Sequence, residues 1–289
     1  FKGYYNGSTQ YINANGYVTS KFTKDAFKEN TTLTAKWEPK TVKVTFHRNK
    51  NSSDTTTATQ TFTYAVSGQS FSDKGWTYTG RTLSGWALES TATTRRYTVL
   101  SGVSDSWINT NSPSIDLYAV WTPNTYTVTF KPGCTSYTGS TADVKVTYGV
   151  STALTANGFA RTGYTFAGWH SSRASDGKSY YTNGTSSAWY SPGSEPDGYV
   201  LYTYKNGQKV SATSPVNGDT VTMTAVWATN AYTVTYDANG GSGSMASSMA
   251  VYGSSFTPSI NAFTRTNYSF AGWNEKADGT GTSWNGAKT

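Results

Sequence analysis

Tyr202 and Tyr204 stand two residues apart in Tyr199-Val-Leu-Tyr-Thr-Tyr-Lys-Asn-Gly-Gln-Lys-Val210, with Lys209 close behind. An Asn-Gly pair between alternating segments is a strong hairpin signal. Asn206-Gly207 therefore predicts a two-residue turn with Tyr204 opposite Lys209, Thr203 opposite Val210 and Tyr202 opposite Ser211. Strand alternation then puts Leu201, Thr203 and Val210 on a face suited to packing, and Tyr202, Tyr204, Lys209 and Ser211 on a face suited to water. Tyrosine rings two residues apart on one strand face stand about 7 Å from each other, close to the spacing of neighbouring sugar rings. Aromatic faces stack on the C–H-rich faces of pyranoses, and amino, amide and hydroxyl groups bond the sugar hydroxyls. The competing reading packs the same tyrosines on the neighbouring part of the chain.

Other aromatics extend the same choice. Trp189-Tyr190 precedes this segment, Trp76-Thr-Tyr78 puts two rings on one face of a short extended stretch, and Trp107 sits in Ser104-Asp-Ser-Trp-Ile-Asn-Thr-Asn111, which reads as a loop. Trp76, Tyr78 and Trp107 are candidates for a second aromatic platform or for local packing.

Catalysis finds little material. The sixteen carboxylates are mostly single and near turns, and no Ser/His/Asp or Cys/His set, phosphate loop or paired-acid motif is present. Cys134 is the only cysteine, and His47 and His170 lie far apart, so no zinc-ligand spacing can be drawn. Asp237-Ala-Asn-Gly-Gly241 and Asp176-Gly177 resemble fragments of calcium loops, but without the remaining ligands they read as turns. The expectation is a non-enzyme with no cofactor and no metal.

Charge narrows the partners. Residues 1–50 hold nine Lys or Arg against Asp25, Glu29 and Glu38, which accounts for six of the seven excess positive charges. Such a basic segment suits an anionic cell-envelope polymer or glycan, or is a solvated surface. Basic residues are not interleaved with a nucleic-acid-binding motif, so no nucleic acid is expected. No apolar run approaches a membrane span.

The elements that must carry these residues are repeated. Phe166-Ala-Gly-Trp169 returns as Phe270-Ala-Gly-Trp273, as Leu83-Ser-Gly-Trp86 and, weakened, as Phe1-Lys-Gly-Tyr4. In step with it, Ala35-Lys-Trp37, Ala119-Val-Trp121 and Ala225-Val-Trp227 close units, while Val42-Lys-Val-Thr-Phe46, Tyr126-Thr-Val-Thr-Phe130 and Tyr232-Thr-Val-Thr-Tyr236 open them. Fixed-period similarity of this kind marks one structural module copied along the chain. The expected divisions are 1–37, the C-terminal half of a repeat; 38–121, a module; 122–227, a module with an aromatic-rich insertion at about 180–212; and 228–289, the N-terminal half of a further repeat. The insertion follows from counting: 57 residues lie between Trp169 and Trp227 but 34 between Trp86 and Trp121. Half units at the two ends suggest a piece of a longer protein whose end halves are complementary, and connectors of about three residues suit a stiff rod.

Period-two segments such as Tyr126–Phe130, Val144–Tyr148 and Val221–Trp227 predict strands. Helix candidates are few: Thr23–Asn30, and a short piece before each Gly-Tyr-x-Phe phrase. The class is mainly β with little α. The repeat-phrase tryptophans, Trp37, Trp86, Trp121, Trp169, Trp227 and Trp273, are expected to pack the module cores.

The order Tyr-Thr-Val-Thr-Phe, Val-x-Tyr-Gly, Arg-Thr-Gly-Tyr-x-Phe-Ala-Gly-Trp, Asp-Gly, Ala-Val-Trp resembles the Listeria–Bacteroides repeat, similar to the B-repeat of internalins. The match is best in 125–169 with 219–227 and in 231–286, and weaker in 41–121. The resemblance implies tandem β-grasp-like modules of secreted or cell-wall-associated proteins of Gram-positive and gut bacteria. It brings no ligand and no functional residues with it. Two roles are then expected in competition: polysaccharide binding on exposed Tyr and Trp, or a spacer or stalk of an adhesin that contacts host protein or mucin.

Overall fold

Val42, Val44 and Phe46 are fully buried while Lys43 between them is exposed, so the opening phrase forms the strand Thr41–His47 with one face in a core. The structure, a computed structural model, describes residues 1–284, and the chain divides into two compact units, Phe1–Thr122 and Pro123–Thr289.

In the first unit Thr41–His47 pairs antiparallel with Thr57–Thr63 and parallel with the closing strand Ser114–Pro123. Arg81–Ala87, which carries Gly85-Trp86, lies on the far side of the closing strand, followed by Tyr97–Thr98. Phe46, Phe62, Phe71, Trp86, Ile108 and Leu117 form the core of this sheet. Ile108 arrives on the helix Asp105–Thr110, whose N-cap Ser104 accepts a hydrogen bond from the Trp107 amide at 3.2 Å. The expected loop around Trp107 is therefore a capped helix. Residues 23–30, in contrast, are turns and irregular backbone. A helix that short is marginal alone, and here Phe27 and Phe22 close on Tyr11 with ring centroids 4.8 and 6.3 Å from it. Within 1–37, Gly3–Asn6 lies between Thr9–Asn13 and Thr34–Lys36. Trp37, expected in a core, is 71% exposed.

The second unit repeats the arrangement. Its sheet runs Val144–Thr147, Thr125–Lys131, Thr220–Thr229, Tyr164–Arg173, Ser179–Thr182, Ser187–Tyr190, with Val200–Leu201 also paired to Ser179–Thr182. The closing strand again pairs parallel with the opening strand and antiparallel with the Gly-Trp strand. No helix lies in 125–229 among the described residues. Tyr126, Val128, Trp169, Val221 and Met223 are at most 1% exposed and form the centre of the core.

The Phe-Ala-Gly-Trp phrase has a geometric cause. Pairing with the closing strand shifts register between Phe166 and Gly168, and Gly168 sits at φ 145°, where an added Cβ would lie 2.6 Å from the Tyr204 carbonyl oxygen. Glycine allows that approach. The shift lets Trp169 turn fully into the core. The closing tryptophan is equally constrained. Trp121 Nε1 donates to the Arg48 carbonyl and Trp227 Nε1 to the Pro132 carbonyl, each at 2.7 Å, so each indole ties the end of the sheet to the chain just past the opening strand.

Residues 231–284 hold the same phrases with less pairing. Ala231–Val234 pairs with Ser248–Val251, and Trp273–Asn274 with Ser283–Trp284. No helix among the described residues is long and apolar enough to cross a membrane.

Candidate aromatic groove

The Tyr164–Arg173 strand leads through the Asp176-Gly177 turn into Ser179–Thr182, with Ser172 opposite Ser179. Asn183-Gly184 then opens a four-residue loop into Ser187–Tyr190, which puts Tyr180 directly opposite Trp189, their ring centroids 5.1 Å apart. Tyr202 is added when its amide donates to the Tyr180 carbonyl at 2.8 Å. Its ring stands 5.4 Å from Tyr180 and 4.7 Å from Tyr204. These rings, with Gln208, Lys209 and Ser211, line an open groove of about 420 Å³. Gln208 Nε2 donates to the Tyr202 hydroxyl at 3.2 Å and fixes that ring's polar end. The Arg173 guanidinium lies 4.3 Å from the Trp189 ring centre and is itself held by Asp176. The indole is thus held against a cation as well as against Tyr180.

The groove is not the expected hairpin. A turn does form, with the Gln208 amide donating to the Lys205 carbonyl at 3.1 Å. Its flanks pair elsewhere: Tyr204 exchanges two backbone hydrogen bonds of 2.9 Å with Trp169, while Lys209 and Val210 pair with Ala153 and Thr152. The expected faces are consequently exchanged at one pair of residues. Thr203 is exposed, and Tyr204, expected in water, is 4% exposed in the core cluster. Burial pushes the Tyr204 hydroxyl far above the ordinary tyrosine range, so it stays protonated. Tyr202 is half-buried against the same core, and Lys209 is exposed. Tyr190 points away from Trp189 by strand alternation and packs with Tyr181 and Tyr199 at 6.3 and 5.6 Å.

Trp76, Tyr78 and Trp107 form no shared platform. Trp76 packs edge-on to Trp86 at 6.0 Å, and Tyr78 on Trp121 at 5.6 Å. Trp107 packs against Phe62 and Phe71 at 5.8 and 5.6 Å, with its Nε1 buried and without a hydrogen-bond partner. Trp76 and Trp107 pack against the core of 41–121, and Tyr78 covers the edge of Trp121. Sequence reasoning missed Tyr180 in the groove and Arg173 against the Trp189 ring. The signal was available: Asn183-Gly184 is the same hairpin pair as Asn206-Gly207, and it closes a true antiparallel pair.

Several basic residues of 1–50 are engaged within their own unit: Lys2 pairs with Glu38 at 2.7 Å, Arg48 with Asp54 at 2.8 Å, and Lys40 donates to the Asn109 carbonyl at 2.6 Å. Lys21, Lys24, Lys28 and Lys43 are exposed. Among the described residues no group of three or more His, Cys, Asp or Glu is gathered to hold a metal ion. The groove offers stacking surface, one amine, one amide and hydroxyls, a set suited to holding a neutral polyol.

The family model of the Listeria-Bacteroides repeat domain matches residues 126–190 and 232–289, so the chain carries this repeat in tandem. The first match runs through Trp189 and Tyr190. The repeat is a non-enzymatic structural domain type, typical of surface proteins. No curated protein and no solved structure matches the chain.

Proposed function

We propose that this tandem array of Listeria–Bacteroides repeats is a non-catalytic polysaccharide-binding region of an extracellular bacterial protein, secreted or held at the cell wall. The observation that supports it is the open groove walled by Tyr180, Trp189 and Tyr202, with Gln208 and Lys209 at its rim. A sugar ring laid on Trp189 would gain a stacking contact worth on the order of 1 kcal/mol, while the rim groups read its hydroxyls. Lys21, Lys24, Lys28 and Lys43, exposed in 1–50, add a second, electrostatic contact to anionic envelope polymers. Within this reading the array falls into the four divisions 1–37, 38–121, 122–227 and 228–289, and the groove belongs to the third.

Retention of the chain on insoluble starch, cellulose and mucin tests the reading. Trp189→Ala and Lys209→Ala should each release the chain from whichever polymer retains it, because both side chains face the groove and neither fills the core centre. Retention unchanged by both substitutions, or no retention on any polymer, would leave the repeats as a stalk that projects other domains.

A further inference from the structure

A carboxylate taken out of water persists only where donors satisfy it. Asp219 is 7% exposed and accepts four hydrogen bonds: Oδ1 from the Ser175 amide at 2.9 Å and the Thr220 amide at 2.8 Å, Oδ2 from the Ser175 hydroxyl at 2.8 Å and from the Ser214 hydroxyl. The two serines stand beside two different stretches of the groove. Ser175 lies between Arg173, whose guanidinium meets the Trp189 ring, and the turn that leads into Ser179–Thr182, the strand that carries Tyr180 and pairs Tyr180 with Trp189. Ser214 directly follows Ser211, Ala212 and Thr213, which line the groove together with Lys209. The repeat fold does not demand this carboxylate. Thr220 lies beside Thr127 as Ser114 lies beside Lys43, so the counterpart of Asp219 in 41–121 is Pro113. The backbone contact is kept, with the Thr127 amide donating to the Asp219 carbonyl at 3.0 Å and the Lys43 amide to the Pro113 carbonyl at 2.8 Å, but proline offers no side-chain acceptor. The module with proline closes its sheet equally well and has no shared aromatic platform.

We propose that Asp219 is the positioning residue of the groove: one buried carboxylate ties the turn ahead of Tyr180 to the 211–214 segment, and so fixes the spacing between the stacking rings and the polar rim that a sugar must span. This rests on the polysaccharide reading of the groove. Both tethers leave from the same carboxyl group, so neither stretch moves without disturbing the other. Ser214 has no other hydrogen to give: its oxygen accepts from the Val216 amide at 3.2 Å while its proton goes to Asp219. Thr213, one residue nearer the groove, donates through its amide and its hydroxyl to the Tyr126 hydroxyl at 3.1 and 2.9 Å, which joins the same segment to the opening strand. A site held this way spends little of its contact energy on ordering itself around a ligand. Asp219→Asn separates charge and acceptor from shape, because the amide keeps one oxygen for the two backbone donors and turns an N–H₂ toward the two hydroxyls.

Two measurements on the full chain test it, and the first needs no sugar. The indole N–H resonance of Trp189, assigned by its loss in Trp189→Phe, should shift in Asp219→Asn and in Ser175→Ala. Ser175 is exposed, so Ser175→Thr keeps the hydroxyl without crowding and should restore the wild-type position, while the Trp121 resonance stays in place in all three. The second is the apparent Kd on whichever of starch, cellulose and mucin retains the wild type: about tenfold weaker for Asp219→Asn, the scale of one hydrogen bond to a charged group, about threefold weaker for Ser175→Ala, and unchanged for Ser175→Thr. Val128→Ala thins the core on the opening strand and should lower the thermal midpoint while moving neither the Trp189 resonance nor the Kd. A Trp189 resonance indifferent to both Asp219→Asn and Ser175→Ala, or a Kd that weakens as much with Val128→Ala as with Asp219→Asn, would overturn the proposal. A shifted resonance in a chain that no polymer retains would overturn the polysaccharide reading and uphold the tether.

Discussion

Residues 125–229 and 231–284 open with nearly the same words, Tyr126-Thr-Val-Thr-Phe130 and Tyr232-Thr-Val-Thr-Tyr236, and both continue to Phe-Ala-Gly-Trp. In the first, Tyr126, Val128 and Trp169 are sealed, the strand pairs on both edges, and the Trp169 indole N–H is buried without a partner. In the second, the strand pairs on one edge, Tyr232 is half exposed, and the Trp273 indole donates to the Ser259 carbonyl at 3.1 Å. The difference teaches where the burial comes from. Identical side-chain alternation produces a core only when the closing strand brings a second row of apolar residues and satisfies the inner edges of both neighbours.

The largest expected contrast lies at the two tryptophans. Trp169→Ala empties the centre of a closed core and should cost about 3–5 kcal/mol, read as early denaturant unfolding of 125–229. Trp273→Ala should cost less than half as much, because its surroundings already meet solvent. Equal costs would break the comparison by showing that 231–284 is as tightly held as its neighbour.

Tyr204→Ala comes next. The ring is buried among Tyr180, Tyr202 and Trp169, so the substitution should cost about 2–4 kcal/mol, and a lowered thermal midpoint would record it. A midpoint that did not move would return Tyr204 to the wet face expected from a simple hairpin.

A smaller effect separates the closing tryptophans. Trp227→Phe keeps a ring but removes the hydrogen bond to the Pro132 carbonyl, at about 1 kcal/mol. Trp37→Phe, at a 71% exposed ring, should change stability by no more than about 0.5 kcal/mol. Urea midpoints of the two variants make the check.

The smallest effect distinguishes the two closed modules by pH. The carbonyl that receives Trp121 belongs to Arg48, and Asp54 holds that loop through the Arg48 guanidinium and the Lys50 and Thr56 amides. The Arg48 hydrogen bond, outweighing burial, and the two amides hold the Asp54 carboxyl far below its usual 3.8. A carboxylate depressed in the folded state contributes stability that is complete above its unfolded value and is lost as pH falls through the folded one. Acid titration below pH 3.8 should therefore loosen 41–121 through this loop, and Asp54→Asn should flatten that limb. The 125–229 module offers a Pro132-Gly133 turn at the same place, so its acid sensitivity, through the Asp176 carboxyl that Arg173 holds low against burial, should leave the loop that receives Trp227 intact.

Much of the architecture was legible because repetition and period two are both written along the chain. Opening and closing phrases became neighbouring strands, and the glycines of the Gly-Trp phrases, Gly85, Gly168 and Gly272, took the positive φ that only local backbone freedom permits. The groove was legible only in part. Trp189, Tyr202 and Lys209 were named, but Tyr204 was placed on the wrong face, because alternation is a local rule and the partner that decided the matter was Trp169, far back in sequence. Asn206-Gly207 illustrates the same limit: the turn formed, but its arms found longer-range partners on two other strands. Helix Asp105–Thr110 escaped notice because six residues show too little periodicity, although Ser104 before Asp105 is a fair N-cap signal.

The parallel pairing of first and last strands also sets a timetable for synthesis. Thr129 meets Thr222 across 93 residues of chain, so at about 5–20 residues per second an emerging module waits roughly 5–20 s for the strand that belongs in its middle. During that wait the opening strand keeps one bare edge, and any closing phrase already made by the preceding repeat is a rival partner. Contacts this distant also form slowly once the chain is free. The three closing segments differ ahead of their shared ending, Thr32-Leu-Thr-Ala-Lys-Trp37, Ile115-Asp-Leu-Tyr-Ala-Val-Trp121 and Val221-Thr-Met-Thr-Ala-Val-Trp227. Discrimination between neighbouring closing strands can reside only where these segments differ.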